Sequence, residues 1–301
     1  MKESSLADPP VLPRLSSHLA PAPLPPSRAN PFTWLNLLCL DAPLVAISWQ
    51  WLFAHNFGIP IARGGTAALF LTAWLIYLAD RFGDSLSVVA QAPASLRQRF
   101  CQRHRAAWIA GIIGVALADV VIICARLEPR TALVGAAVGA SALVYLILNR
   151  CRPVFWRKLP LKEVSIGFLF AGGVAVGLSS GLTSSALPAW MLFAGLCSLN
   201  CISIAAWERD LDLAQARISI ATVFPGIARY LVSIGLVLTL ACLAFVFADA
   251  QARGVSLCLT VSAVLLVGLD FFRKDIAPDL RTALADLVLL TPLVLLLAAA
   301  F

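Results

Sequence analysis

Charge is what this sequence has least of: only 13% of its 301 residues are Asp, Glu, Lys or Arg, about half the share of an ordinary globular domain. Hydrophobic residues make up 60%, and a chain so composed cannot supply the polar surface a water-soluble globule needs. Histidine is almost missing. His18, His55 and His104 are the full set, and their spacing suggests no acid–base role and no histidine metal centre. The eight cysteines contain no CxxC pair. Cys197 and Cys201 share a helix face without nearby histidines, so neither a disulfide framework nor a thiolate metal site is expected. Most of the cysteines fall in apolar stretches, where a thiol packs as a small hydrophobe.

What is present is apolar sequence in long runs. Residues 66–77, 132–148 and 287–301 hold no charge at all. A helix crosses the hydrocarbon with about 20 predominantly apolar residues. Spans of this kind read as helices, because backbone groups in lipid must pair within the segment. Strands of a lipid-facing barrel would alternate in polarity, and these do not. The expectation is an all-α, multi-pass transmembrane bundle of about nine helices, near residues 33–53, 65–82, 106–124, 131–149, 162–182, 187–206, 228–248, 254–271 and 282–300. Gly64-Gly65, Pro129, Pro188, Gly254 and Pro278 mark breaks between them. Ahead of these, residues 1–31 carry eight prolines and no apolar core of a signal peptide, so they read as a disordered tail before a membrane domain at 32–301.

The net charge of +7 does not read as a nucleic-acid footprint, since the basic residues punctuate apolar spans instead of forming one face. With the nine spans above, 19 of the 23 Lys and Arg residues fall on one side. Arg63, Arg126, Arg130 and Arg253 are left for the other. By the positive-inside tendency the N-terminus is cytoplasmic, and the expected location is a bacterial cytoplasmic membrane.

Acids are scarcer than bases, and two groups of them stand where spans meet cytoplasmic loops. One is Asp80-Arg81-Phe82-Gly83-Asp84 and the other Glu208-Arg209-Asp210-Leu211-Asp212. Each holds an i, i+4 pair, Asp80 with Asp84 and Glu208 with Asp212, projecting from one helix face. Like charges at that spacing repel, and Mg²⁺, which takes one or two carboxylates together with substrate phosphates, relieves the repulsion. Neutralisation by Arg81 or Arg209, with the acids simply lying among lipid headgroups, is the plainer alternative. Between the two groups runs a basic connection, Asn149-Arg150 through Arg157-Lys158 to Lys162. Its cations suit phosphate oxygens and equally suit an ordinary positive-inside loop.

At these residues the chain resembles the UbiA superfamily of intramembrane prenyltransferases, over about residues 33–300. That family has nine transmembrane helices, an NxxxDxxxD-type motif after the second and a DxxxD-type motif after the sixth. Here the first reads Ile76-x-x-x-Asp80-x-x-x-Asp84, with Ile76 where the family has asparagine. The second reads Glu208-x-x-x-Asp212. Tyr145 and Asn149-Arg150 are similar to the family's tyrosine-plus-basic connection, with Asn149 where lysine is frequent. The resemblance implies that Asp80, Asp84, Glu208 and Asp212 are the catalytic carboxylates and hold Mg²⁺. It implies that Arg81, Tyr145, Arg150, Lys158, Lys162 and Arg209 bind the diphosphate of a polyisoprenyl diphosphate. The activity so implied is prenyl transfer to an aromatic or other lipid-precursor acceptor in the membrane. The competing expectation is a catalytically inactive UbiA-like lipid or quinone binder or transporter, favoured by Ile76.

Overall fold

The computed structural model describes residues 31–86, 88, 93–178 and 182–300, and its regular elements are all helices. The expected proline-rich tail lies, but for Pro31, outside the described residues. In chain order the helices are α1 (Pro31–Leu37), α2 (Asp41–Phe57), α3 (Gly65–Leu86), α4 (Leu96–Arg103), α5 (Arg105–Arg126), α6 (Pro129–Cys151), α7 (Val154–Lys158) and α8 (Lys162–Val176). They continue with α9 (Leu187–Trp207), α10 (Arg209–Ala214), α11 (Ile220–Val223), α12 (Leu231–Ala248), α13 (Arg253–Phe271), α14 (Pro278–Leu287) and α15 (Thr291–Ala300).

Five of these helices, α5, α6, α9, α12 and α13, are long and apolar enough to cross a membrane. The chain is an integral membrane protein. The other four expected spans are helical but interrupted, short or charged. The first is divided between α1 and α2, α8 has 15 residues, and the last is split between α14 and α15. The helix α3 has 22 residues but carries Asp80, Arg81 and Asp84 in its final turns. The breaks follow local chemistry. Gly58 takes φ 61° to end α2, a left-handed conformation that only glycine adopts without strain. Pro129 and Pro278 occupy first helical positions, where a missing N–H costs nothing. Gly254 differs from its expected role and lies inside the first turn of α13.

Within this bundle α9 is central: 56% of its most apolar stretch is buried, against 11% for α6. Phe247, Leu133 and Val237 are therefore exposed apolar side chains on helices that face lipid. The core is aromatic where α2 meets α9, with Trp49 stacked on Phe193 at 4.5 Å and Phe53 edge-on to the same ring. A close approach joins α8 to α9, because a Cβ on Gly167 would run into Ser198.

The split between α14 and α15 shows how a break is tolerated at membrane depth. Pro292 has no N–H to return to the Val288 carbonyl four residues earlier. Ser262 Oγ donates to that carbonyl instead, at 2.8 Å, and Trp49 Nε1 donates to the next one, Leu289 O, at 2.7 Å. Neighbouring side chains thus satisfy backbone acceptors that lipid cannot.

Candidate functional site

One cavity of about 620 Å³ opens among α2, α3, α5, α6, α8 and α9, within the size range of ligand pockets, about 300–1,000 Å³. The helix α3 is its spine. Gly65, Leu69, Thr72, Ile76, Asp80 and Asp84 recur at helical spacing and all border it. At about 1.5 Å per residue, that face runs on the order of 28 Å. Along most of it the wall is apolar, from residues such as Ala73, Val138, Leu146, Ile166, Phe170 and Val176. Charge gathers at the end where α3 finishes and α10 begins.

All four expected carboxylates border this charged mouth. Asp80 and Asp84 come from the last turns of α3. Glu208 is the junction residue between α9 and α10, and Asp212 lies one turn on, its N–H bonded to Glu208 O at 2.9 Å. Asp80 is within electrostatic reach of Lys162 and Arg217, and so is Asp212. Two stretches far apart in sequence therefore share the same pair of cations. Burial raises the Asp212 carboxyl above its ordinary pKa, as expected when a carboxylate leaves water.

Of the six residues that the resemblance assigns to a diphosphate, the structure brings three to the cavity: Arg81, Tyr145 and Lys162. Arg150 instead donates to Gly83 O at 3.0 Å, Lys158 is exposed, and Arg209 donates to Ala221 O at 3.2 Å; none of these three borders the cavity. Two arginines from connecting segments stand in their place. Arg97 binds Glu208, with Nη2 at 2.7 Å from Oε1, and Arg217 is ion-paired with Asp84. One member of each acid pair is thereby neutralised by the chain itself. Some hydrogen-bonding capacity is left over: Arg81 Nε, Arg97 Nη1 and Glu163 Oε2 are buried on this lining without a partner.

Behind the mouth a buried polar network fixes Arg81. Its Nη2 donates to Tyr77 Oη at 2.9 Å, and the guanidinium lies 4.9 Å from the centre of that ring. Tyr77 Oη in turn donates to Asp286 Oδ2 at 3.4 Å. Asn200 donates to Asp286 Oδ1 and Asn36 to Asp286 Oδ2, each at 3.1 Å, and Asn36 also donates to Asp41 at 2.6 Å.

The lining can be tested as a Mg²⁺ site. Among the described residues no three His, Cys, Asp or Glu side chains form a group able to hold a metal ion, so an all-protein cage is not supported. Mg²⁺ needs less from a protein: one or two carboxylates, with phosphate and water supplying the rest. Either acid pair fits that mode, and all its donors are oxygen, as a hard cation prefers.

No known protein family, no curated protein and no solved structure matches the chain. Sequence reasoning passed over Arg97 and Arg217 because a loop arginine in a positive-inside segment looks like any other. It also passed over Asp119 and Asp286. Their signal was available, since an acid inside an apolar span is expensive and by default functional.

Proposed function

We propose that this protein is a UbiA-like, Mg²⁺-dependent prenyltransferase that binds a polyisoprenyl diphosphate with its headgroup at the charged mouth and its chain along the apolar wall. The observation that carries this reading is that both acid pairs border one cavity whose remaining length is mostly apolar. Charge balance supports a metal-dependent ligand over a bare anion. The mouth holds five carboxylates (Asp80, Asp84, Glu163, Glu208 and Asp212) against four cations (Arg81, Arg97, Lys162 and Arg217). A diphosphate alone would meet a surface already net negative. With divalent cations it meets a complementary one.

Asp80 or Asp84 from one pair, and Glu208 or Asp212 from the other, would hold the metal. Bound there, Mg²⁺ would supply neutralisation of the charge that collects on a departing diphosphate. Arg97 and Arg217 turn from carboxylate to phosphate oxygens, and the unspent donors on Arg81 and Arg97 add hydrogen bonds to the same group. The C–O bond of the allylic diphosphate breaks with its electron pair leaving on the diphosphate, the allylic carbon is attacked by the acceptor, and the acceptor's proton passes to the released diphosphate. The apolar wall keeps water from capturing the cation first. The mouth faces the cytoplasm in this reading, in keeping with the distribution of Lys and Arg.

A second reading has support of its own. The pairs Arg97–Glu208 and Arg217–Asp84 already do what a metal would do, and Ile76 offers no ligand. On that reading the chain binds a lipid or quinone, or moves it, without chemistry. The deciding experiment is Mg²⁺-dependent release of pyrophosphate by the purified protein, supplied with prenyl diphosphates of several lengths and a range of aromatic acceptors. Release that Asp80→Ala and Asp212→Ala abolish is the expected result. No release with any combination supports the binder.

A further inference from the structure

Away from the mouth, the described lining of the cavity holds a single carboxylate. Asp119 lies on α5 and is 5% exposed. Its Oδ2 accepts a hydrogen bond from Thr72 Oγ1 at 2.7 Å, while its Oδ1 has no partner. Both residues border the cavity, among Leu69, Ala73, Ile123 and Ala136. Thr72 precedes Asp80 by eight residues on α3, about 12 Å along the helix axis. A carboxyl group set in an apolar wall at that depth destabilises the bundle unless something binds it.

We propose that Thr72 and Asp119 form a hydroxyl-binding subsite, which reads a polar group carried about 12 Å from the headgroup by an otherwise apolar ligand. The proposal rests on the reading that an anionic headgroup occupies the mouth, and it narrows the ligand to an amphiphile with a second polar position. A hydroxyl fits because it donates and accepts, and so satisfies Oδ1 whether Asp119 is ionised or protonated. A carbonyl answers only the protonated form. A proton relay would need titratable neighbours in hydrogen-bond contact, and the one side-chain hydrogen bond that Asp119 makes is with the Thr72 hydroxyl. A plain hydrocarbon chain at this point leaves Oδ1 unsatisfied, as it is in the free protein, whereas a hydroxyl adds the missing hydrogen bond.

The test compares decyl phosphate with ω-hydroxydecyl phosphate, whose extended chain matches the reach from mouth to subsite. Binding of each is measured by calorimetry on the full chain in a non-ionic detergent with saturating Mg²⁺. Wild-type protein is expected to favour the hydroxylated probe by about tenfold or more. Asp119→Leu and the near-isosteric Thr72→Val are expected to lose the preference yet still bind decyl phosphate, and Asp84→Ala to weaken both probes equally. If wild-type protein binds the two probes alike, or Asp119→Leu keeps the preference, the subsite is refuted while the headgroup reading stands. Binding of neither probe overturns both.

Discussion

Arg217→Ala separates a mouth that exchanges arginine for metal from one that is permanently closed by arginine. The substitution removes the guanidinium from Asp84, whose side chain is 27% exposed while that of Arg217 is 22% exposed. Two unit charges at about 4 Å attract by about 4 kcal/mol at an effective dielectric of about 20. Exposed pairs measured by double-mutant cycles give about 0.2–1 kcal/mol. A pair three-quarters buried falls between these limits, at about 1–2 kcal/mol, which is about 5- to 30-fold in an equilibrium constant. If Mg²⁺ must displace Arg217 to reach Asp84, the ligand-free variant binds Mg²⁺ tighter by about that factor. The same variant binds decyl phosphate more weakly at saturating Mg²⁺, because a phosphate donor is gone. Arg217→Lys keeps the charge and moves both constants in the same directions by less. Titration calorimetry in detergent reads all four. Mg²⁺ affinity that is unchanged or lower in Arg217→Ala refutes the exchange and leaves the arginines as fixed counter-ions.

Three further outcomes follow from the packing. Asp286→Ala strips the acceptor from Asn200 and Tyr77, and two buried donors left unpaired cost about 2–6 kcal/mol together, whereas Asp286→Asn keeps a carbonyl oxygen; thermal unfolding in detergent should rank wild type, Asn, then Ala well below. Ser262→Ala orphans Val288 O and lowers stability by about 1–3 kcal/mol. Pro292→Ala, by restoring an N–H four residues beyond that carbonyl, should cancel most of the loss in the double variant. Burial raises the Asp212 carboxyl, so the folded chain holds that proton more tightly than the unfolded one. Its contribution is therefore favourable at low pH and is lost as pH rises from the ordinary carboxylate range through the raised value. Asp212→Asn should flatten that part of the stability–pH curve, measured by unfolding between acidic and neutral pH.

Helix as the only regular structure, and membrane-scale length in its least charged segments, were legible because hydrocarbon imposes both through the backbone alone. The number of clean spans was not. Hydropathy registers 282–300 as one apolar run, but Pro292 divides it, and whether a break is bearable depends on Ser262 and Trp49 arriving from other helices. The acid pairs were legible from spacing, since i, i+4 fixes a face before any tertiary contact exists. Their counter-ions were not. Arg150, Lys158 and Arg209 were expected at the site, yet Arg97 and Arg217 reach it, because α4 and the segment after α10 fold back over the mouth.

The scarcity of acid in this chain gives the cavity its meaning. Of 16 Asp and Glu residues, six border this cavity, and Asp286, with Asp41 beside Asn36, belongs to the network that holds its Arg81. An arrangement serving only solubility or topology would leave acids exposed to water, as Asp210 is at the start of α10, and none on an apolar wall. Asp119 carries the point furthest. Topology does not need it, packing is worse for it, and a headgroup site at the mouth is complete without it. A carboxyl placed there at a desolvation cost is the observation on which the proposed hydroxyl subsite stands. The ligand that the proposed subsite calls for is neither a bare phosphate nor a bare hydrocarbon, but a molecule long enough to present both ends at once.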